Sequence, residues 1–569
     1  GSSPLGSTFY AQQDPGSLDT VVMTLSRRRN LARTKESNLA KLPKMHDKEP
    51  VELYTLDEIQ AESTEIEGKS PGERAPAELP SINLRRWVGF VVGIALAVLI
   101  YYLLPDSLPH PGKVTAAIAV LMGAWWMTEA LPIPATALVP LVAFPLLSDV
   151  PIKDVGASYG NDVIFLFMGG FMLALAMERW NLHRRMALLT LKIMGPKPAA
   201  MIGGFMIATG FISMWVSNTA TAVMMLPIGM SVLLLVARVM PDVGTKAKTE
   251  AGETIIKSNF ATALMLGIAY AASIGSLGTI IGTPPNTLLV GYLQENFDIN
   301  IGFGQWMLVG VPIAVVFMFL AWVVLTKIIF RPEIKEIPGG RELINKELAA
   351  LGPMSKGEIR VQIIFILAAV LWIFVPIVFE NPPISDAGIA VLVGLLLFTI
   401  PGGSARGVRL LDWPSAVKLP WGVLLLFGGG LALSAQFGSS GLTEWIGNYA
   451  SALGSIPVWL MVAVIAAVIL LLTELTSNTA TAATFLPVAG GIAIGIGADP
   501  LLLTIPVALA ATCAFMLPVA TPPNAVAFGT GYVTIGQMVK GGAVLNLIAL
   551  VLVTLATMTL AVWVFGIAY

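Results

Sequence analysis

Long apolar runs broken by short polar stretches set the pattern of this chain, as at Trp87 to Leu104, Val114 to Trp126 and onward, Ile363 to Val378, and Val544 to Phe565. Runs of this kind suit a hydrocarbon core about 30 Å thick, which a helix of roughly 20 apolar residues crosses. Their recurrence predicts about eleven crossings, and so an all-α polytopic membrane protein. The stretch from Gly1 to about Ile82 differs: it is charged, rich in Pro, Ser and Glu, and poor in aromatics. Gly1 to Ser7 reads as the scar of a cleaved tag, and the rest as a solvated, disordered cytoplasmic tail with too little apolar surface to fold. A transporter-sized membrane domain is expected over 83–569. No signal peptide is expected, because the first apolar run, after Arg85 and Arg86, is too long and lacks a cleavage site.

Within the apolar pattern a polar motif recurs. Ser217-Asn218-Thr219-Ala220-Thr221-Ala222 returns letter for letter at Ser477-Asn478-Thr479-Ala480-Thr481-Ala482, and each copy runs on to a Leu-Pro pair ending at Pro227 or Pro487. Phe167-Met168-Gly169-Gly170 answers Phe427-Gly428-Gly429-Gly430 at the same separation, and Thr283-Pro284-Pro285-Asn286 answers Thr521-Pro522-Pro523-Asn524. The last separation is shorter, and a polar insertion at about Pro241 to Lys257 in the first copy accounts for the difference. Two repeats follow, at about 114–326 and 359–569. If each Ser-Asn-Thr segment leaves the membrane on the side it entered, an odd number of crossings separates the copies, and the repeats are inverted. Inverted repeats with interrupted helices are a way to build a transport site near the bilayer midplane.

Charge now orients the chain. Basic residues near helix ends stay on the cytoplasmic side, and with the amino terminus inside, all of the 34 Lys and Arg except Lys113 and Lys153 fall inside. A multi-pass plasma-membrane protein is expected. With 56% hydrophobic and 12% charged residues the chain cannot cover a soluble fold of this size, and 34 basic against 35 acidic residues excludes the basic field that nucleic-acid binding needs. The single Cys513 excludes an intrachain disulfide.

A Ser-Asn-Thr triplet between apolar arms is costly in lipid unless it faces water or partners. These residue types favour helix starts, where free N–H groups and the helix dipole attract anions. The bland alternative is a surface cap on a helical hairpin. Two copies brought together by inverted symmetry would hold a carboxylate. At the second motif pair, Ser273 to Thr279 leading into Thr283-Pro284-Pro285-Asn286, and Pro518 to Asn524, Gly and Pro break apolar helices and free carbonyls for a hard cation such as sodium. None of these motifs contains Lys or Arg, so bound sodium is the available countercharge for a dianion. Glu129, Glu178 and Glu474 read first as interfacial or packing carboxylates and second as proton or cation ligands. An intramembrane enzyme is disfavoured: the histidines are His46, His110 and His183, with no nucleophile or metal constellation around them. A channel would need a continuous polar path, which broken helices about one site do not suggest.

At these motifs the chain closely resembles the divalent anion/sodium symporter family, over about Leu84 to Tyr569. The resemblance implies eleven transmembrane helices with two re-entrant hairpins in inverted repeats, a homodimer in lipid, and an elevator-type mechanism. It implies that Ser217, Asn218, Thr219, Ser477, Asn478 and Thr479 contact substrate carboxylates, with Thr521 and Pro522 nearby. One sodium ion would lie among Ser213, Asn218, Ser273, Gly275 and Gly278, and a second among Thr473, Thr476, Asn478, Ala520 and Pro522. Thr219 and Thr479 match the pattern of carriers of C4-dicarboxylates such as succinate, malate and fumarate. A sodium-independent dicarboxylate exchanger, or a citrate or sulfate carrier, is the alternative within the same family.

Overall fold

The structure, a computed structural model, describes residues 80 to 567 apart from 196, 241–243, 249–253, 338, 380 and 381. The expected tail, to residue 79, lies outside the described residues. The first helix, Pro80–Leu103, begins close to the expected boundary. Among the described residues eight helices are long and apolar enough to cross a membrane, and five shorter apolar helices accompany them. The membrane part is helical as expected. The polar insertion adds a short antiparallel hairpin in which Thr245–Lys248 pairs with Thr254–Lys257.

The first helix docks on the second, His110–Thr128, through two glycines: a Cβ on Gly89 would meet the Thr128 hydroxyl at 2.2 Å, and one on Gly93 the Trp125 ring at 2.6 Å. Phe90 stacks on Trp125 at 4.9 Å between ring centroids, and Trp125 Nε1 donates to the Phe90 carbonyl. The rest of the first helix exposes Leu84, Trp87, Val91 and Tyr102, side chains suited to lipid.

Each Ser-Asn-Thr motif forms the tip of a helical hairpin. The first hairpin joins Pro198–Ser213 to Asn218–Val239, and the second joins Val458–Thr473 to Asn478–Gly495. Both leading arms have 16 residues, about 24 Å of helix, which falls short of a hydrocarbon core of about 30 Å. Each hairpin is followed by a broken helix. Asn259–Ser276 stops, and the chain resumes helix at Pro284–Phe297; Pro500–Ala511 stops, and helix resumes at Pro522–Gly529. Proline at the first helical position fits there because its missing N–H has no intrahelical acceptor to serve.

The two halves interlock at these breaks. Pro284–Phe297 packs on the second hairpin's Asn478–Gly495 and on Pro500–Ala511, while Pro522–Gly529 packs on the first hairpin's Asn218–Val239 and on Asn259–Ser276. Asn259–Ser276 is almost wholly buried and forms the centre of the core. Small residues permit the close contacts: a Cβ on Gly275 would lie 2.2 Å from the Gly210 carbonyl oxygen, and Gly490 makes room for the Tyr292 hydroxyl.

A polar layer flanks the helices. Arg184 pairs with Glu347 at 2.8 Å, and the buried Arg185 pairs with Glu358 while donating to the Gly352 carbonyl at 3.0 Å. Glu358 also closes a capping box with Ser355 at the start of Lys356–Val378.

Candidate functional site

Where the two hairpin tips and the two helix breaks converge, a cavity of about 1000 Å³ opens. Ser217, Asn218 and Thr219 line it from one repeat and Ser477, Asn478 and Thr479 from the other, with Thr283, Pro284, Thr521 and Pro522 at the breaks. The facing wall is apolar at Trp126, Met127, Phe167, Phe171 and Leu175, and charged at its rim, where Arg85, Glu129, Glu178 and Lys418 lie. All eight residues expected to surround the substrate therefore share one cavity.

Both triplets start helices, whose first N–H groups have no intrahelical acceptor. The Ser217 hydroxyl accepts from Ala220 N at 3.2 Å, a true cap, whereas the Ser477 side chain makes no cap bond. Identical letters thus play unequal local parts: the first copy caps its helix, and both line the cavity rather than the outer surface.

Behind the cavity wall the repeats agree closely. Ser213 Oγ lies 2.9 Å from Asn218 Oδ1 and 2.7 Å from the Ala272 carbonyl oxygen. Thr473 Oγ1 lies 2.8 Å from Asn478 Oδ1 and 2.7 Å from the Ala511 carbonyl oxygen. A hydroxyl has one proton to give, so each faces two acceptors with a single donor. In the first repeat Asn218 Nδ2 donates to Ser276 Oγ at 3.2 Å, and Ser276 gives its own proton to the Ser273 carbonyl at 2.7 Å. Turning the amide over only moves the shortage of protons to the Ser276 side. The Ser273 hydroxyl, beside this cluster in the chain, is buried and has no partner. Hard oxygens cluster behind both tips, and in the first repeat neither orientation of the amide gives them enough protons, so the residues present suit a monovalent cation such as sodium.

The expected ligands divide by depth. Asn218, Asn478, Thr476, Ala520 and Pro522 reach the cavity, while Ser213, Ser273 and Thr473 are buried behind it. Gly275 and Gly278 are fixed by packing, Gly275 against Gly210 and Gly278 against the Met214 side chain. Thr476 Oγ1 lies within 2.8 Å of the Leu472 carbonyl and 2.6 Å of Thr481 Oγ1.

Each break is held by an asparagine. Asn286 Nδ2 donates to the Leu277 and Thr279 carbonyls at 3.3 and 2.9 Å, and Asn524 Nδ2 to the Ala514 and Leu517 carbonyls, both at 3.1 Å. The hydroxyls of Thr283 and Thr512 meet at 3.3 Å, one from each repeat.

The three acids separate. Glu129 pairs with Arg85 at 3.0 Å at the rim, Glu178 is exposed there, and Glu474 is buried with its carboxylate on the backbone of the second break. Arg85, from ahead of the first repeat, and Lys418, from outside the motifs of the second, give the cavity basic residues that the motifs themselves lack. His110 bridges the Tyr101 hydroxyl and the Leu147 carbonyl. His183 is buried near the start of Leu182–Met194 with Nδ1 against the Met177 carbonyl, and burial holds its imidazole below the usual range. His46 lies outside the described residues. Among those residues no three His, Cys, Asp or Glu side chains form a metal-binding group.

A family profile described as the sodium:sulfate symporter transmembrane region matches residues 84–567. The chain is 44% identical over 496 residues to the sodium-dependent dicarboxylate transporter SdcS of Staphylococcus saprophyticus, covering 86% of this chain and 94% of that one. It is 42% identical to the protein of the same name from Staphylococcus aureus (strain USA300), covering 82% and 90%. Among solved structures it is similar to Neisseria gonorrhoeae MtrF, described with a class of antimetabolite efflux pumps, at a TM-score of 0.50 and 14% identity over 84% of this chain and 98% of that one. That likeness concerns the fold alone.

Proposed function

This chain belongs to the sodium:sulfate symporter family, and we propose that it is a symporter that moves C4-dicarboxylates such as succinate, malate and fumarate across the plasma membrane together with sodium. Relatives of 42% and 44% identity that bear the name of sodium-dependent dicarboxylate transporters support this reading and set aside an enzyme. The observation that carries it is the duplicated oxygen cluster, Ser213–Asn218–Ala272 and Thr473–Asn478–Ala511, directly behind the two triplets that line the cavity.

In this reading each asparagine serves two ligands. Its side-chain oxygen belongs to a sodium site, and its helix start, with the neighbouring Ser and Thr, faces a substrate carboxylate. The first ion takes Ser213, Asn218 and the Ser273 to Gly278 backbone; the second takes Thr473, Thr476, Asn478 and backbone at the second break. Sodium binding sets the asparagines and supplies positive charge for the dianion, so each raises affinity for the other.

The short leading arms of both hairpins favour re-entrant segments within an eleven-crossing, two-repeat architecture. The amino terminus is cytoplasmic, and Arg85, Glu178 and Lys418 at the rim then open the cavity to the cytoplasm. Alternating access follows an elevator-type displacement of the hairpins and broken helices against a scaffold that dimerises in the lipid. The purified protein tests the core of this reading: labelled succinate binding should appear on adding sodium and not potassium, and equal binding in both salts would refute it.

A further inference from the structure

We infer that Glu474 is a positioning residue that builds the second sodium site by holding the backbone of the second helix break, and that this makes the two sodium sites unequal. The inference rests on the symport reading above.

Glu474 follows Thr473 at the tip of the second hairpin, and its side chain is 2% exposed. Its Oε1 accepts from the backbone N–H groups of Phe515 and Met516 at 2.7 and 3.0 Å and from Asn546 Nδ2 at 2.8 Å. Its Oε2 accepts from the N–H groups of Met516 and Leu517 at 3.1 and 3.2 Å. Three successive N–H groups turned toward one anion form a concave nest, in a stretch that has left the helix and has no ladder of its own. With those N–H groups fixed, the Ala514 and Leu517 carbonyls turn to Asn524, and Thr473, one residue earlier, reaches the Ala511 carbonyl. Two adjacent side chains thus bind the hairpin tip to the start and the middle of the break.

Both carboxylate oxygens are occupied by donors, so neither is free to ligate a cation in this conformation. Among the described residues no Lys, Arg or His pairs with it. A buried carboxylate answered only by N–H dipoles keeps its negative potential, which favours a cation close by.

The first repeat has no equivalent. Met214 stands where Glu474 stands in the second. There the break is held by neutral groups: Thr279 Oγ1 donates to the Met214 carbonyl at 2.5 Å, and Trp306 Nε1 to the Leu277 carbonyl at 3.1 Å. The second sodium site has a formal charge in its supporting shell, and the first has none.

Sodium titration of succinate uptake by the full-length protein in proteoliposomes tests this. Glu474→Gln keeps the shape, removes the charge and sets an NH2 against N–H groups that need an acceptor; it should raise the sodium concentration for half-maximal uptake roughly 10- to 100-fold, the usual effect of losing an outer-shell partner. The succinate KM at saturating sodium should stay within about twofold of the parent. Asn546→Ala, which removes one donor and leaves the charge, should give a smaller shift in the same direction and serves if Glu474→Gln does not fold. A merely structural role would lower the amount of active protein and leave the sodium titration unmoved, and that result in either folded variant overturns the inference. If the parent protein itself ignores sodium, the symport reading falls first and takes this inference with it.

Discussion

The hydroxyl of Thr473 stands 2.8 Å from the side-chain oxygen of Asn478, and both come from a hairpin tip whose partner repeat places Ser213 2.9 Å from Asn218 in the same relation. The asparagine in each pair is the hinge between a buried oxygen cluster and an open cavity. Asn218→Ala or Asn478→Ala removes the oxygen from the cluster and the amide from the cavity together. Either variant should insert and purify normally but lose roughly 10- to 100-fold of its uptake rate. Uptake by reconstituted variants, normalised to protein, checks this, and near-normal uptake in either would displace the site.

Gly275→Ala tests the packing behind the first site. The added methyl would meet the Gly210 carbonyl oxygen at 2.2 Å, and backbone cannot rotate away as a side chain can. The cost should be about 1–3 kcal/mol, read as a lower thermal midpoint in detergent with a weakened sodium response.

Two ion pairs of unlike burial should behave differently. Arg185 and Glu358 are both buried, and Glu358 also serves a capping box; Glu358→Ala leaves an uncompensated guanidinium and should cost about 3–5 kcal/mol. Arg85 and Glu129 are about half exposed, and breaking them should cost about 0–1 kcal/mol. Thermal unfolding of the two alanine variants side by side measures the contrast.

Lys418 lines the cavity rim with no ion partner among the described residues. Lys418→Gln should raise the KM for a dianion severalfold at low ionic strength, with little change in maximal rate, and the effect should fade in added salt as screening takes over. The measurement suits vesicles in which the cavity faces the labelled substrate.

What the sequence discloses about this molecule depends on how local each feature is. The doubled Ser-Asn-Thr and Thr-Pro-Pro-Asn motifs are local, and their repetition reveals the paired hairpins, the paired breaks and the residues around the cavity. Glu474 is visible only as an acid near a motif, because its role is made by N–H groups from Phe515 to Leu517, which the fold brings back to it. Arg85 and Lys418 reach the rim from segments outside the recurring motifs, so the motif spacing gives no hint of them. The strands Thr245–Lys248 and Thr254–Lys257 read Thr-Lys-Ala-Lys and Thr-Ile-Ile-Lys, and neither has the strict apolar/polar alternation that marks a strand. Ser217 and Ser477 carry the reverse lesson, since identical letters hide the fact that only one of them caps its helix.

The most direct test of the account is radiolabelled succinate uptake into proteoliposomes, with and without an inward sodium gradient, and with or without unlabelled dicarboxylate inside. Sodium-driven accumulation into empty vesicles is the predicted result. Uptake that requires internal dicarboxylate and ignores sodium would contradict it, identify an exchanger, and remove sodium from both oxygen clusters.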